Sequence, residues 1–214
     1  MAYGKLPGIP PKYLAGLAEW NGIARAFLFS GGGNDLVGRQ PDGISVLTRY
    51  IRPHTAGRSP AWHLESPDFA CRLAHFEACY RHVIADVATR YPNLPIIIHG
   101  YDYPLPCPFD RDDRRQPRWI SRDAYFGSSF PHVGIRDVDL QVAILRKAID
   151  AMNAIQRRLA GGNVPGGAFA QVFHVDLRGT LHTGNWADEI HPTNTGFAKV
   201  SERFRRVLRS AGVN

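Results

Sequence analysis

The chain has 214 residues, of which 44% are hydrophobic, enough for a single globular domain over residues 1–214 with one sizeable core. No apolar run approaches the roughly 20 residues that cross a bilayer, and Met1 to Pro7 lacks the apolar stretch of a signal peptide, so the chain as written reads as cytoplasmic with no membrane span. A formal charge of +7 admits an anionic partner, but the basic runs at Arg111 to Arg118 and Arg203 to Arg209 come with no aromatic platform or nucleic-acid motif, which argues against nucleic acid.

In chain order, Pro11 to Ile23 reads as a short helix, and Ala26 to Ser30 as a buried parallel strand closed by Gly31, Gly32 and Gly33. Ser66-Pro67-Asp68 opens a second helix: Ser caps, Pro takes the first helical position and Asp opposes the dipole. Along it Phe69, Leu73, Phe76, Tyr80, Val83, Ile84 and Val87 share one face, and the helix should stop before Pro92. Cys71 and Cys79 lie on that helix about 12 Å apart, too far for a disulfide, which favours free thiols. Pro95 to Gly100 is a second strand. A long helix from about Ile135 to Leu159 ends at Gly161-Gly162, Gln171 to Asp176 is a third strand, and Asn194 to Arg209 closes the chain as a helix with Phe197, Val200, Phe204, Val207 and Leu208 inward. This alternation predicts crossovers onto a parallel sheet with helices on both faces. Arg39 to Glu65 and Tyr103 to Pro131 match no element. Both follow the C-terminal end of a strand, where open α/β sheets bind ligands, and the aromatic residues of the second suggest function.

Two segments carry chemistry. Gly31-Gly32-Gly33-Asn34-Asp35 is no phosphate loop, since Leu36 stands where a dinucleotide fingerprint needs Gly. The glycines either form a plain Asx-capped turn or bend the chain so that Asn34 offers its amide to a substrate carbonyl. Asp188 and His191, three residues apart, either compensate a helix dipole or form a pair in which the carboxylate fixes the imidazole tautomer. Tyr101 and Asp102 end the middle strand, at the edge where substrate would lie; Asp102 equally suits local backbone amides. His174, Asp176, His182, Asp188 and His191 raise the possibility of a metal, but their spacing fits no metal motif, and no metal or cofactor is expected.

Taken together, Phe27-Leu28-Phe29-Ser30-Gly31-Gly32-Gly33-Asn34-Asp35, Ile98-His99-Gly100-Tyr101-Asp102-Tyr103-Pro104 and Asp188-Glu189-Ile190-His191-Pro192-Thr193-Asn194 resemble blocks of the SGNH (GDSL-type) hydrolases, in particular of a bacterial SGNH-like group. The resemblance implies a three-layer α/β/α fold with a flavodoxin-like parallel sheet in the order 2-1-3-4-5. Of that sheet this chain holds about three strands, and the strand that would become its bare edge suggests a homodimer. It also implies hydrolysis of a small ester, with Asn34 in the oxyanion hole, His191 as base, Asp188 orienting it, and Gly33, Tyr101 and Asp102 near substrate. No Gly-Asp-Ser occurs in the sequence, so the family's nucleophile is expected from sequence upstream. Ser30, at a strand end, and Ser128 and Ser129, in the long loop, are the substitutes within the chain, and none sits in a strand-to-helix elbow that would expose a nucleophile; an inactive ligand- or partner-binding remnant and a basic, phosphate-directed metalloprotein are the rival readings.

Overall fold

A computed structural model describes residues 11–33, 38, 44–106, 126 and 129–213. The elements are α1 (Lys12–Glu19), β1 (Phe27–Phe29), α2 (Val46–Tyr50), α3 (Pro60–Leu64), α4 (Pro67–Arg90), β2 (Ile96–His99), a 3-10 turn (Phe130–Val133), α5 (Val138–Leu159), β3 (Val172–Val175), a second 3-10 turn (Thr183–Asn185) and α6 (Asn194–Ser210).

The three strands form one parallel sheet in the order β1-β2-β3. Phe27 pairs with Ile96, and Ile96 with Val172. Three successive isoleucines in β2 are wholly buried, because a central parallel strand is covered on both faces. Side-chain alternation divides the apolar residues into two clusters. Ile96, Ile98 and Val172, with Phe27 and Phe29 beside them, pack with α4 and α5, whereas Ile97 and Val175 pack against Val200, Phe204, Val207 and Leu208 of α6.

The sequence dictates the long helices through caps and stripes. Ser66 Oγ accepts from Phe69 N–H at 3.0 Å with Pro67 at the first position, and Phe69, Phe76, Tyr80, Ile84 and Val87 are the buried stripe of α4. Asp137 caps α5 through the Asp139 and Leu140 amides. Burying each large side chain of these stripes contributes about 1.5–3 kcal/mol, so the stripes outweigh any surface pairing on the same helices. The α5 stripe carries two polar residues with structural tasks. Gln156 Nε2 donates to Tyr80 Oη at 2.9 Å and to His99 O at 2.6 Å, joining α4, α5 and β2. Asn153 packs so close to Gly100 that a Cβ there would lie 1.8 Å from its Oδ1, which is why β2 must end in Gly. At the outer edge of β3, Asn163 acts as a strand substitute: its Oδ1 accepts from His174 N–H at 2.8 Å and its Nδ2 donates to His174 O at 2.9 Å.

Three expectations require correction. Arg39 to Glu65 is not simply a loop at a ligand edge: α2 and α3 lie within it, and Val46, Leu47, Ile51 and His63 are buried. Five-residue helices are too short for a helical period to register. Phe126 and Phe130, counted as aromatic surface for a ligand, are wholly buried; Phe109, Trp119 and Tyr125 lie outside the described residues, as does Arg111 to Arg118. Phe197 is 51% exposed rather than inward. Cys71 and Cys79 are free and exposed, and no described helix is long and apolar enough to cross a membrane.

His174 generates a pH prediction. It faces the α5 side of β3, is buried, and its Nε2 has no hydrogen-bond partner. Burial therefore pushes its pKa down from the ordinary 6.5 to about 4, and Asp176 nearby opposes the shift only in part. Between those two values the unfolded chain binds a proton that the folded chain refuses, so stability falls as pH drops below about 6.5. At pH 5 the loss from this group is about 2 kcal/mol. Urea unfolding at pH 7 and pH 5 should show this loss in the wild type and a smaller one in His174→Leu; an equal loss in both would exclude His174 as the source.

Candidate functional site

The residues singled out in the sequence lie on segments that follow the C-terminal ends of the three strands. After β3 the chain runs through Asp176 to a short antiparallel bridge between Trp186 and Pro192, and the turn within that bridge is Ala187 to His191, closed by Ala187 N–H to His191 O at 2.7 Å. Asp188 sits inside the turn. Its Oδ1 accepts from the Ile190 and His191 amides at 2.8 and 2.7 Å, and its Oδ2 lies 2.6 Å from His191 Nδ1. An ionised carboxylate can only accept, so Nδ1 carries the ring proton and Nε2 is left as the basic nitrogen. The carboxylate is 13% exposed and the imidazole 56% exposed, so the acid is sheltered and the ring reaches solvent. Spacing in the sequence suggested this pair, and the turn geometry forms it. Between the two, Glu189 points the opposite way: it is buried, its Oε2 accepts from Phe126 N–H at 2.6 Å, and its carbonyl accepts from Leu105 N–H at 3.2 Å. Glu189 thus anchors the turn from below, a role with no signal in the sequence beyond its place in the motif.

The glycine segment closes β1. Gly32 has φ +86, and a Cβ on it would lie 2.2 Å from the Phe76 ring; a Cβ on Gly33 would lie 2.8 Å from Tyr101 Oη. Both the turn and the close approach exclude larger residues. Tyr80 and Tyr101 donate to the carbonyl of Gly31 at 2.9 and 3.1 Å, fixing the loop onto α4 and the end of β2. Tyr101 therefore supports the loop that leads to Asn34. Asn34 itself lies outside the described residues.

Asp102, expected near substrate, is buried and serves the backbone. Its Oδ1 accepts from the Tyr103 and Gly179 amides, both at 2.7 Å, and its Oδ2 from the Leu181 amide at 2.6 Å. It binds the end of β2 to the segment that continues to Asp188. Beside it Arg178 reaches Asp176 at 2.7 Å and Asp150 at 2.8 Å, and Tyr103 donates to Asp150 at 2.9 Å. Arg178 holds the Asp176 carboxyl below its usual range. Among the described residues no three His, Cys, Asp or Glu side chains are grouped to hold a metal.

The serines divide sharply. Ser129 is buried, and its Oγ accepts from Ser45 N–H at 2.8 Å, so it is closed to a substrate. Ser128 lies outside the described residues. Ser30 is exposed, immediately after β1, and its Oγ is 2.8 Å from His99 Nε2.

The Asp102 network is testable. Asp102→Ala strips an acceptor from three backbone amides, each costing about 1–3 kcal/mol if left unsatisfied, and water entry recovers part of this. A loss of about 3 kcal/mol in urea unfolding is expected, against a smaller one of about 1 kcal/mol for Asp188→Ala, whose two amide partners belong to its own short turn and can turn to water. Equal losses would contradict the assignment of Asp102 as the anchor.

Protein-family models, the curated proteins and the solved structures gave no match to this chain.

Proposed function

We propose that this chain belongs to an ester hydrolase of the SGNH (GDSL-type) kind, with a three-layer α/β/α fold, acting on a small ester. The observation that carries the reading is the Asp188–His191 pair: a sheltered carboxylate 2.6 Å from Nδ1 of an exposed imidazole, set between the last strand and the last helix. His191 takes the proton of a serine hydroxyl through Nε2 and returns it to the leaving group. Asp188 keeps the ring in the productive tautomer and stabilises the imidazolium between those steps. Asn34, which follows Gly33 in the sequence, donates to the oxyanion.

In this reading the serine comes from sequence upstream of residue 1, since no Gly-Asp-Ser occurs in the 214 residues. The sheet supports it: the outer edge of β3 is closed by Asn163, while β1 pairs with β2 alone among the described residues. An edge of that kind accepts further strands, or a second copy as a homodimer. The missing block favours one rival, a ligand-binding domain that has lost catalysis.

The test is hydrolysis of ethyl acetate, an unactivated ester whose alkoxide must be protonated as it leaves. The 214-residue chain should be slow, and a chain lengthened at its N-terminus to include an upstream Gly-Asp-Ser should be faster by about 10³ or more. In the lengthened chain His191→Ala should return the rate to the slow level. Undiminished turnover in that variant would refute the reading, and no gain on lengthening would favour the ligand-binding rival.

A further inference from the structure

The sheet edge carries a second histidine with a serine on it. Ser30 and His99 end adjacent strands, 69 residues apart in sequence, and Ser30 Oγ lies 2.8 Å from His99 Nε2. The other ring nitrogen, Nδ1, is 2.8 Å from the carbonyl of Gly100. A carbonyl can only accept, so Nδ1 carries the proton and Nε2 presents its lone pair to the Ser30 hydroxyl. That is the tautomer a general base needs. The ring is held from the side by Phe204 and Tyr101, with centroids 5.3 Å away in each case. Burial lowers the pKa of His99, so the ring is neutral near pH 7.

The backbone around Ser30 also suits a nucleophile. β1 ends at Phe29 and the chain turns sharply at Gly32 with φ +86. Ser30 therefore stands where the chain leaves the strand in a tight turn, which carries its hydroxyl clear of the sheet edge. The amide that follows, Gly31 N–H, makes no hydrogen bond among the described residues and lies where a nucleophilic turn supplies an oxyanion donor. On the same face of β1, two residues back, Leu28 is 53% exposed. Phe27 and Phe29 turn to the opposite face, where Phe29 meets Tyr80 at 4.8 Å. Leu28 thus offers a small apolar surface beside the hydroxyl.

We propose that Ser30 is an acyl acceptor with His99 as its base, a second nucleophilic site that takes short-chain activated esters with the acyl group against Leu28. Ser30 Oγ bonds to the acyl carbon as its proton passes to His99 Nε2, and the ester C–O bond breaks to release the alcohol or phenol, which carries the proton away. Water then attacks the acyl-serine, its proton passing through His99 to Oγ as the serine ester bond breaks. The site uses neither Asp188 nor His191 and stands apart from the hydrolase reading.

The experiment is to incubate the 214-residue chain with an alkyl fluorophosphonate and locate the adduct by peptide mass spectrometry. Here the Ser30 Oγ–P bond forms, fluoride leaves and His99 takes the proton. A single adduct on Ser30 is expected, with labelling slowed by about 10²-fold in His99→Ala and restored in that variant by added imidazole. No adduct, an adduct on another residue, or labelling unchanged in His99→Ala would overturn the proposal. The wild-type adduct decides the matter even if a variant folds poorly. Because the readout is made on the short chain, whereas the Asp188–His191 reading is judged on the lengthened one, either can fail alone.

Discussion

Burial of β2 on both faces is the constraint from which the rest of the arrangement follows. Ile96, Ile97 and Ile98 can be sealed only if β1 and β3 flank the strand and helices cover it above and below. Parallel neighbours require long crossovers, so the connections must be helices with an apolar stripe, which α4 and α5 provide. At the end of the strand the sealing stops, and polar groups take over within four residues. The His99 carbonyl accepts from Gln156, Gly100 makes room for Asn153, Tyr101 reaches the Gly31 carbonyl, and Asp102 collects three amides. Each attachment fixes a different loop relative to β2. The strand end is thus the reference point for the glycine turn and, through Gly179 and Leu181, for the segment that leads to Asp188.

Two kinds of charge coexist on the molecule, with different energetic weight. Asp102 and Glu189 are buried, and their acceptors are answered by backbone amides that would otherwise be unsatisfied. Removing either exposes a deficit that water cannot fully repair. On α6, by contrast, Glu202 is approached by Arg205, Arg206 and Arg209 at 3.4 to 3.8 Å, with all four side chains well exposed. Such pairs contribute little, so the basic helix is a solvated face whose form comes from Val200, Phe204, Val207 and Leu208.

The sequence revealed what rests on local repetition and missed what rests on long-range contact. Caps and periods located α4, α5 and α6, because each repeats its signal over many residues, and compact apolar runs located the three strands. The short helices α2 and α3 have no such repetition. Phe126, Phe130 and Phe197 show the limit of inferring burial from residue type: the first two enter the core from an irregular segment, and the third, at the start of α6, stays outside. At the site, Asp188 and His191 were legible because three residues separate them and a turn brings them together. The anchoring by Asp102 spans 77 and 79 residues to its amides and the Ser30–His99 contact spans 69, distances over which only the register of β2 on β3 and of β1 on β2 makes neighbours.

The two histidines differ in the group that orients them, and the difference sets what each can do. A carbonyl, as on His99, fixes the tautomer as well as a carboxylate does, but it brings no full charge to offset the imidazolium that forms when the base takes a proton. His99 is also partly buried, so water cannot supply that stabilisation either. His191 has both aids: a sheltered Asp188 on one nitrogen and solvent around the ring. In the proposed chemistry the transition state at His191 is therefore stabilised throughout proton transfer, whereas the one at Ser30 is stabilised chiefly by geometry. Acyl transfer at Ser30 should accordingly favour esters whose leaving group needs little protonation, such as phenols, while Asp188–His191 suits unactivated esters whose alkoxide must receive the proton as it departs.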